Sequence, residues 1–249
     1  ISTAAAVVAA AAGVPIAKHG NRSVSSRSGS ADVLEALGVD IEIDPVRAGE
    51  TLDRLGIAFL FAPRLHPAMR RVVPVRGELG VRTIFNILGP LSNPAGARRQ
   101  VLGVYDDRLV PLVADVLRQL GCDHALVVRG QDGLDELTTT AATRVAEVRG
   151  GEIREYSVEP EEVGVVRAIP EDLRGGDPRR NAELFTSVLA GHPGALLEVT
   201  VLNAGAAIYV AGACEDLGTG VEIARRAVRS GAARDKLEEM RRPQPAADA

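Results

Sequence analysis

Short apolar runs alternate with amphipathic segments along most of the chain. Alanine dominates residues 4–12, where its small side chain and high helix propensity predict a closely packed helix capped by Ser2 or Thr3. Apolar residues 14–17 follow as a short buried strand. Because helices and strands go on alternating in this way, we expect an α/β fold. The other elements predicted in this part are helices at 32–37, 48–55 and 109–120 and strands at 57–61, 101–104 and 125–128.

The alternation is interrupted at two places and ends near the last third of the chain. Residues 66–79 predict a helix that a proline kinks or divides, and residues 81–87 predict an extended segment that leads into a turn. Residues 144–148 and 153–157 flank a Gly-Gly pair, which predicts an antiparallel hairpin at one edge of the sheet. From Pro178 the pattern predicts mainly helices.

Composition and charge narrow the class of protein. The 249 residues are 46% hydrophobic and 25% charged, enough to bury a full core. A formal net charge of -4 provides no general basic field, so we expect no nucleic-acid partner, and any phosphate site must be built locally. The alanine-rich run is too short to span a bilayer, so no membrane partner is expected. Cys122 and Cys214 lie far apart and fit a reducing cytoplasm.

One basic, serine-rich segment stands out. Residues 18–30 read KHGNRSVSSRSGS and contain Lys18, Arg22 and Arg27 without an acidic residue. Cations provide charge for a phosphate, while hydroxyls and backbone N–H groups provide directional donors. The helix predicted after it adds a partial positive charge at its N-terminus. A solvated surface loop has a similar composition, so composition leaves both interpretations open.

The order of residues in this segment adds a resemblance. KHGNR, followed by SSRSGSAD and VLEALG, is similar to the signature loop of anthranilate phosphoribosyltransferases. Three further blocks extend the resemblance over the whole chain. They are FAPRLHPAM at 61–69, VRGELGVRTIFNILGPLSNPAG at 75–96 and GLDELT at 133–138.

The resemblance implies an architecture. We expect a mixed, mostly parallel central sheet flanked by helices, with only a remnant of the small α-helical domain of that family. Residues 1–242 would form the α/β catalytic domain, to which residues 63–80 contribute the helical remnant. The composition of residues 243–249 predicts a disordered tail.

The same resemblance implies a set of substrate-binding residues. Anthranilate would be met by Asn21 and Arg76, with His19, Gly89 and Pro90 along its path. The Arg76 guanidinium matches a planar carboxylate, although without the resemblance it reads equally as a surface arginine. The residues implied for phosphoribosyl pyrophosphate are Ser2, Thr3, Lys18, His19, Gly20, Asn21, Arg22, Ser23, Val24, Ser25, Ser26 and Ser30.

A metal site is implied as well. Asp135 and Glu136 resemble the magnesium-binding carboxylates of the family, and Ser2 would also touch a magnesium ion. Two adjacent acids are, on spacing alone, more often solvated or helix-capping. Mg²⁺ prefers hard oxygen ligands and usually takes one or two carboxylates together with substrate phosphates. The resemblance therefore implies Mg²⁺ as the cofactor.

The histidines do not form a metal-type pattern, and no residue is assigned as nucleophile or general base. His66, His124 and His192 read as structural or solvent-facing, while His19 is expected to pack or to hydrogen-bond to substrate. An aromatic amine is neutral at pH 7 and needs no strong base. We therefore expect catalysis of phosphoribosyl transfer by positioning and electrostatics.

The chain departs from the family at its beginning. The family carries GTGGDG just before Asn-Ile-Ser-Thr, and helices before that stretch form much of its homodimer contact, whereas this chain begins at Ile1. We expect a part of a longer polypeptide. Two alternatives are a pyrimidine nucleoside phosphorylase and a non-catalytic relative that binds nucleotide or nucleic acid. The joint presence of Asn21, Arg76 and the acidic pair argues against the second.

Overall fold

The computed structural model describes residues 1–23, 27–66 and 85–242, and for residues 85, 86 and 90 it describes the backbone alone. The strands are β1 Ile16–Gly20, β2 Ile57–Phe61, β3 Arg99–Gly103, β4 His124–Gly130, β5 Thr143–Arg149 and β6 Glu152–Val158. The helices of the first half are α1 Ser2–Ala11, α2 Ser30–Ala36, α3 Pro45–Leu55, α4 Ala62–Leu65, α5 Phe85–Leu91 and α6 Leu109–Gln119. After two 3₁₀ turns, Pro160–Val163 and Pro170–Leu173, come α7 Pro178–Leu189, α8 Ala195–Val210, α9 Leu217–Arg229 and α10 Ala232–Arg241.

The α/β class and the mixed strand directions predicted from the sequence are confirmed. Strands β1 and β2 pair in parallel, as do β3 and β4. Strands β4, β5 and β6 are antiparallel neighbours, so the predicted hairpin is confirmed. Its turn contains Gly150 and Gly151, both with positive φ, a conformation that side chains disfavour. None of the helices in the described ranges is long and apolar enough to cross a membrane.

Helix α1 is the packed internal helix that its alanines predict, but its N-cap residue differs from the prediction. Residues 3–10 are buried, and the helix packs against α8. Ile1 stands at the N-cap position without a side-chain cap, and Ser2 and Thr3 lie in the first turn. The prediction that one of them caps the helix is therefore wrong by one or two residues.

Strand β1 extends further than its apolar residues predict. It runs through Gly20, so Lys18 and His19 lie in a strand and not in the expected loop. They are held there by parallel pairing with β2, in which Lys18 is opposite Phe59 and Gly20 is opposite Phe61. Pairing with a buried neighbour strand overrides the polar character of these residues.

Helix α8 forms the centre of the core. Most of its residues from Val199 to Val210 are buried. The helix contacts α1, α7 and α9 as well as strands β3 and β4. A Cβ added at Gly220 of α9 would lie 2.4 Å from the carbonyl oxygen of Gly205, so both glycines are needed for the close approach of α8 and α9. The strands form two sheets, β1-β2 and β3-β4-β5-β6. Helix α6 covers the face of the four-stranded sheet opposite α8, where Val113 and Leu117 pack with Ala125 and Val127.

Helix α5 begins inside the segment that was predicted to be extended. Residues 85–87 were predicted as extended and are helical, so that part of the prediction is wrong. A single late proline removes one helical hydrogen bond, and the Ser92 hydroxyl donates to the carbonyl of Leu88 at 2.6 Å, which satisfies one terminal carbonyl. Most of the helix predicted at 66–79, the extended residues 81–84 and the tail at 243–249 lie outside the described residues.

Candidate functional site

Lys18, Asp135, Glu136 and Ser2 lie side by side, and the space between their side chains is called the cleft below. Lys18 lies in β1, the two acids lie in the segment between β4 and β5, and Ser2 begins α1. The charges of both carboxylates act on the Lys18 ammonium, and the Ser2 hydroxyl donates a hydrogen bond to Glu136. Three separate parts of the sequence thus place a cation, two carboxylates and a hydroxyl side by side.

Burial dominates the electrostatics of this cleft. It lowers the pKa of Lys18, against which the negative charges of Glu136 and Asp135 act. Burial likewise raises the pKa of Glu136, opposed by the positive charge of Lys18 and by the hydrogen bond that Glu136 accepts from Ser2. The neighbouring Asp135 adds to the rise as a like charge. The Glu136 carboxylate is therefore buried between a cation, Lys18, and a like charge, Asp135.

The segment that carries the two acids is built by close backbone contacts. A Cβ added at Gly103, the last residue of β3, would lie 1.6 Å from the carbonyl oxygen of Asp135. Asp132 accepts hydrogen bonds from the Leu134 N–H at 3.0 Å and the Thr138 hydroxyl at 2.6 Å, and a further one from Thr140. The acidic pair is consequently held against the carboxyl end of β3, the edge where ligand sites of parallel strands lie.

Asp32 organises the basic loop that follows β1. Its Oδ2 accepts the N–H of Ser23 at 3.0 Å and that of Gly29 at 2.8 Å, and its Oδ1 accepts from Arg22 at 3.3 Å. Burial opposes ionisation, yet these hydrogen bonds hold the pKa of Asp32 below its usual value. Asp32 lies in the first turn of α2, so it joins both ends of the loop to the start of that helix.

Two glycines make the compact loop possible. A Cβ at Gly29 would lie 2.4 Å from the Ser23 nitrogen, and one at Gly20 would lie 2.4 Å from the Ser30 hydroxyl. The Ser30 hydroxyl itself donates to the carbonyl of Asn21 at 3.2 Å. The loop therefore closes on itself without room for larger residues at these points.

Arg22 is engaged within the protein. Its guanidinium donates to both Glu35 oxygens, at 2.7 and 2.9 Å, and stands 5.7 Å from the ring centre of Phe61. The hydrogen bonds that Arg22 donates to Glu35 raise the pKa of Arg22. Its charge is thus compensated by acids of α2, whereas the Lys18 ammonium lies beside Asp135 and Glu136, the residues implied for the metal.

His19 links β1 to the α5 region. Its Nε2 lies 3.2 Å from Nε2 of His66, and its ring donates a hydrogen bond to the backbone of Gly89. Burial lowers the pKa of His19, with further lowering by His66 and Lys18, so the neutral imidazole is favoured. Asn93 adds a second link, since its side chain donates to the carbonyl of Ala17 at 3.1 Å. Two of the residues implied for the anthranilate path, His19 and Gly89, are thus in contact.

Not every implied site residue can be placed. Thr3 is 8% exposed and lies in the core beside the cleft, while Asn21 is exposed and accepts the Arg22 N–H on its side chain. Of the other histidines, His124 is buried against Glu147 and His192 is exposed. Val24, Ser25, Ser26 and Arg76 lie outside the described residues, as does the side chain of Pro90.

The cleft offers oxygen donors that fit Mg²⁺. Within the described ranges, no three His, Cys, Asp or Glu residues are grouped as an all-protein metal site would require. Mg²⁺ does not need such a group, because one or two carboxylates with substrate phosphates and water complete its octahedron. Asp135 and Glu136, with Ser2 adjacent, are a donor set of this kind.

Sequence reasoning missed three residues that shape the site. The sequence predicted Asp32 only as the start of a helix, Gly103 only as a position inside the strand at 101–104, and Asn203 only as a position in the mainly helical part after Pro178. The signal for Asn203 was present, because it is a polar residue inside the apolar run ALLEVTVLNAGAAIYV. The contacts of Asp32 and Gly103 depend on residues that are brought together by folding.

Comparison with known proteins agrees with the geometry. The model of the glycosyl transferase family, a/b domain, matches residues 1–234. The anthranilate phosphoribosyltransferase of Paramagnetospirillum magneticum is 57% identical over 96% of this chain and 69% of its own length. The chain thus spans about seven tenths of that relative.

Solved structures give the same result. The anthranilate phosphoribosyltransferase of Thermus thermophilus superposes with a TM-score of 0.90 at 51% identity, over 96% of this chain and 71% of that one. The Saccharomyces cerevisiae enzyme in complex with PRPP and Mg superposes with a TM-score of 0.86 at 27% identity, over 96% and 67% of the two chains. This chain belongs to the anthranilate phosphoribosyltransferase family.

Proposed function

We infer that this chain transfers the phosphoribosyl group of phosphoribosyl pyrophosphate to anthranilate, a step of tryptophan biosynthesis. The products are N-(5-phosphoribosyl)anthranilate and pyrophosphate. The observation that supports this most directly is the approach of Lys18 to the Asp135–Glu136 pair, because a polyanionic sugar diphosphate needs a cation on one side and metal ligands on the other.

The reaction requires charge stabilisation at two places. The anthranilate nitrogen forms a bond to C1 of the ribose while the bond from C1 to the pyrophosphate oxygen breaks, and the amine loses its proton to water. Positive charge develops on the sugar ring and negative charge on the leaving pyrophosphate. Lys18 stabilises the leaving group, and serine hydroxyls of residues 23–30 hold the phosphates.

Asp135, Glu136 and Ser2 are the residues that would hold Mg²⁺ in this scheme. A bound Mg²⁺ supplies countercharge to the pyrophosphate oxygens. The chain's own contribution is a pair of carboxylates kept at the carboxyl end of β3 by the contact with Gly103. A yeast relative solved in complex with PRPP and Mg supports the choice of cation.

The anthranilate end of the site lies toward α5. Asn21 and Arg76 orient the amine and the carboxylate of anthranilate, with His19, Gly89 and Pro90 along the path. The contact of His19 with Gly89 supports this placement. A yeast relative solved with 4-fluoroanthranilate supports the class of ligand.

A direct assay tests the proposed reaction. Anthranilate fluorescence should fall when the protein is mixed with phosphoribosyl pyrophosphate and Mg²⁺, and the loss should require all three components. A parallel incubation with thymidine or uridine and phosphate should give no free base. Phosphorolysis without anthranilate consumption would replace the proposal by a nucleoside phosphorylase.

We further propose that the protein works in the cytoplasm, as a homodimer when the helices that precede this segment in the family are present. Cys122 and Cys214 are free thiols, which suits a reducing compartment. Light scattering during size exclusion should give the mass of two chains for a polypeptide that includes those helices. A monomer mass of that polypeptide at micromolar concentration would contradict the dimer.

A further inference from the structure

Asn203 is a buried amide in the apolar helix α8. Its exposed fraction is 4%, and the residues on either side of it, Leu202 and Ala204, are almost fully buried. Burying an amide is unfavourable unless its donors and acceptor are satisfied. We therefore expect the Asn203 amide to be hydrogen-bonded, and the groups that it binds indicate its role.

The partner is the backbone of Leu137. Asn203 Oδ1 accepts the Leu137 N–H at 3.0 Å, and Nδ2 donates to the Leu137 carbonyl at 2.8 Å. The second Nδ2 hydrogen donates to the carbonyl of Val199 at 2.8 Å, one turn earlier in α8. The amide thus binds both backbone groups of Leu137, as a neighbouring strand would. Its Oδ1 accepts one hydrogen bond and both N–H groups of Nδ2 donate one each.

Leu137 directly follows the acidic pair. On the other side of the pair, the Asp135 carbonyl packs against Gly103 so closely that no Cβ would fit. Asp135 and Glu136 are therefore fixed at both ends, by the end of β3 before them and by α8 after them. The Leu137 side chain is fully buried, which prevents the segment from sliding along α8.

We propose that Asn203 is a positioning residue that sets the Asp135–Glu136 carboxylates for a divalent cation. The inference rests on the proposed function, because it assigns that pair to metal binding. Asn203 touches neither substrate nor metal and acts through the Leu137 peptide. Groups that orient metal ligands from behind typically change metal affinity about 10- to 100-fold when they are removed.

The residue type is specific to this task. Aspartate has no N–H, so the carbonyls of Leu137 and Val199 would both lose their donor. Leucine has a similar size but leaves the Leu137 N–H and carbonyl unpaired. Serine retains the bond to the Val199 carbonyl, since a helical serine hydroxyl can donate to the residue four positions earlier, but it is too short for Leu137.

The test compares Asn203→Ser with Thr200→Val. Thr200 is 2% exposed, and its hydroxyl donates to the Leu196 carbonyl at 2.7 Å within the same helix, so its loss perturbs α8 without touching Leu137. Mn²⁺ binding in the presence of phosphoribosyl pyrophosphate is measured by electron paramagnetic resonance, and the melting temperature is measured alongside. Asn203→Ser should weaken Mn²⁺ binding about tenfold or more. Thr200→Val should lower the melting temperature and leave Mn²⁺ affinity unchanged.

Turnover gives a second, independent readout. In Asn203→Ser the Mg²⁺ concentration for half-maximal rate should rise, and saturating Mg²⁺ should restore most of the wild-type kcat. Equal Mn²⁺ affinity in Asn203→Ser and wild type, or an equal loss in Thr200→Val, would overturn the inference. Failure of the wild-type protein to bind Mn²⁺ or to consume anthranilate would instead overturn the proposed function.

A measurement on the wild-type protein covers the case in which Asn203→Ser does not fold. Amide hydrogen exchange should show the Leu137 N–H protected as strongly as the core of α8 before any metal is added. If that amide exchanged fast and became protected only with Mn²⁺ and phosphoribosyl pyrophosphate, the metal would order the segment and Asn203 would not.

Discussion

At the scale of single residues, the acids of the site have two roles: one accepts hydrogen bonds from backbone N–H groups, and two lie beside Lys18. Asp135 and Glu136 face Lys18 across the cleft, whereas Asp32 is turned inward and accepts two backbone N–H groups of its own loop. The formal charge of the loop also overstates its positive field, because the Arg22 guanidinium forms an ion pair with Glu35. Charge counts along the sequence therefore overstate the cation available to a phosphate.

Asp32→Asn tests the inward-facing role. The amide keeps one acceptor but loses the charge that holds the Ser23 and Gly29 N–H groups and Arg22. We expect the KM for phosphoribosyl pyrophosphate to rise about tenfold, equivalent to about 1.4 kcal/mol, with a smaller change in kcat. Steady-state kinetics measures both constants.

The control for Asp32 is Glu35→Gln. Glu35 is an exposed partner of Arg22, so its loss frees the Arg22 guanidinium and keeps the contacts of Asp32 with the loop backbone, and KM should not rise above the wild-type value. A KM that changed in Glu35→Gln and not in Asp32→Asn would show that the Arg22 ion pair, and not the backbone contacts, shapes the loop.

At the scale of elements, the acidic pair depends on the end of β3. In Gly103→Ala the new methyl would overlap the Asp135 carbonyl, so either the strand end or the acidic segment must move. A displacement near 1 Å at a catalytic position can cost about 100-fold in rate, and we expect a loss of kcat of this order. Stopped assays of anthranilate consumption at saturating substrates measure it.

Gly49→Ala is the matched control. Gly49 lies in α3, and a Cβ there would meet nothing within 4 Å. Alanine is the better helix former by about 1 kcal/mol, so the melting temperature should stay level or rise while kcat is unchanged. Full activity in Gly103→Ala would mean that the close contact with Asp135 does not position the acids.

A buried network joins β4, β5, β6 and α8. Glu147 of β5 lies 2.7 Å from the His124 ring and accepts from the hydroxyls of Tyr209 at 2.7 Å and Tyr156 at 3.1 Å, while Arg149 donates to Tyr209. Burial opposes the charge, yet these hydrogen bonds keep the pKa of Glu147 below its ordinary value. A lowered folded-state pKa contributes stability above the unfolded value of 4.5, and that stability is lost as the pH falls through the folded value.

Glu147→Gln should therefore be destabilised most at neutral pH. We expect its free energy of unfolding to be lower than that of the wild type by about 1–3 kcal/mol at pH 7, because a buried charge-assisted network is broken. The difference should shrink as the pH falls below 4.5. Urea unfolding at pH 7 and pH 4 measures the trend, and a difference that grows toward low pH would contradict it.

The elements also show where sequence reasoning succeeds. Local patterns predicted α1, the strand at Ile57–Phe61 and the Gly-Gly hairpin, because propensity and periodicity are sufficient there. They ended β1 too early, since Lys18 becomes a strand residue only by pairing with the distant β2. The sequence identified Asp135 and Glu136 as candidate metal ligands through the GLDELT block. Their approach to Lys18 could not be predicted, because it depends on tertiary structure.

At the scale of the whole molecule, the site is assembled from elements far apart in the chain. β1 contributes Lys18, the segment after β4 contributes the carboxylates, and α8 holds that segment in place. Helix α8 also contacts α1, whose first turn carries Ser2. Helix α8 thus contacts two of the parts that carry site residues, α1 and the segment after β4.

The double variant Asp135→Asn with Glu136→Gln tests the central claim most directly. The measurement is the initial rate of anthranilate consumption with phosphoribosyl pyrophosphate as Mg²⁺ is varied from limiting to saturating concentration. We predict a rate at limiting Mg²⁺ that is lower by about 100-fold or more, because both carboxylates that hold the cation are lost. A wild-type rate at limiting Mg²⁺ would contradict the account.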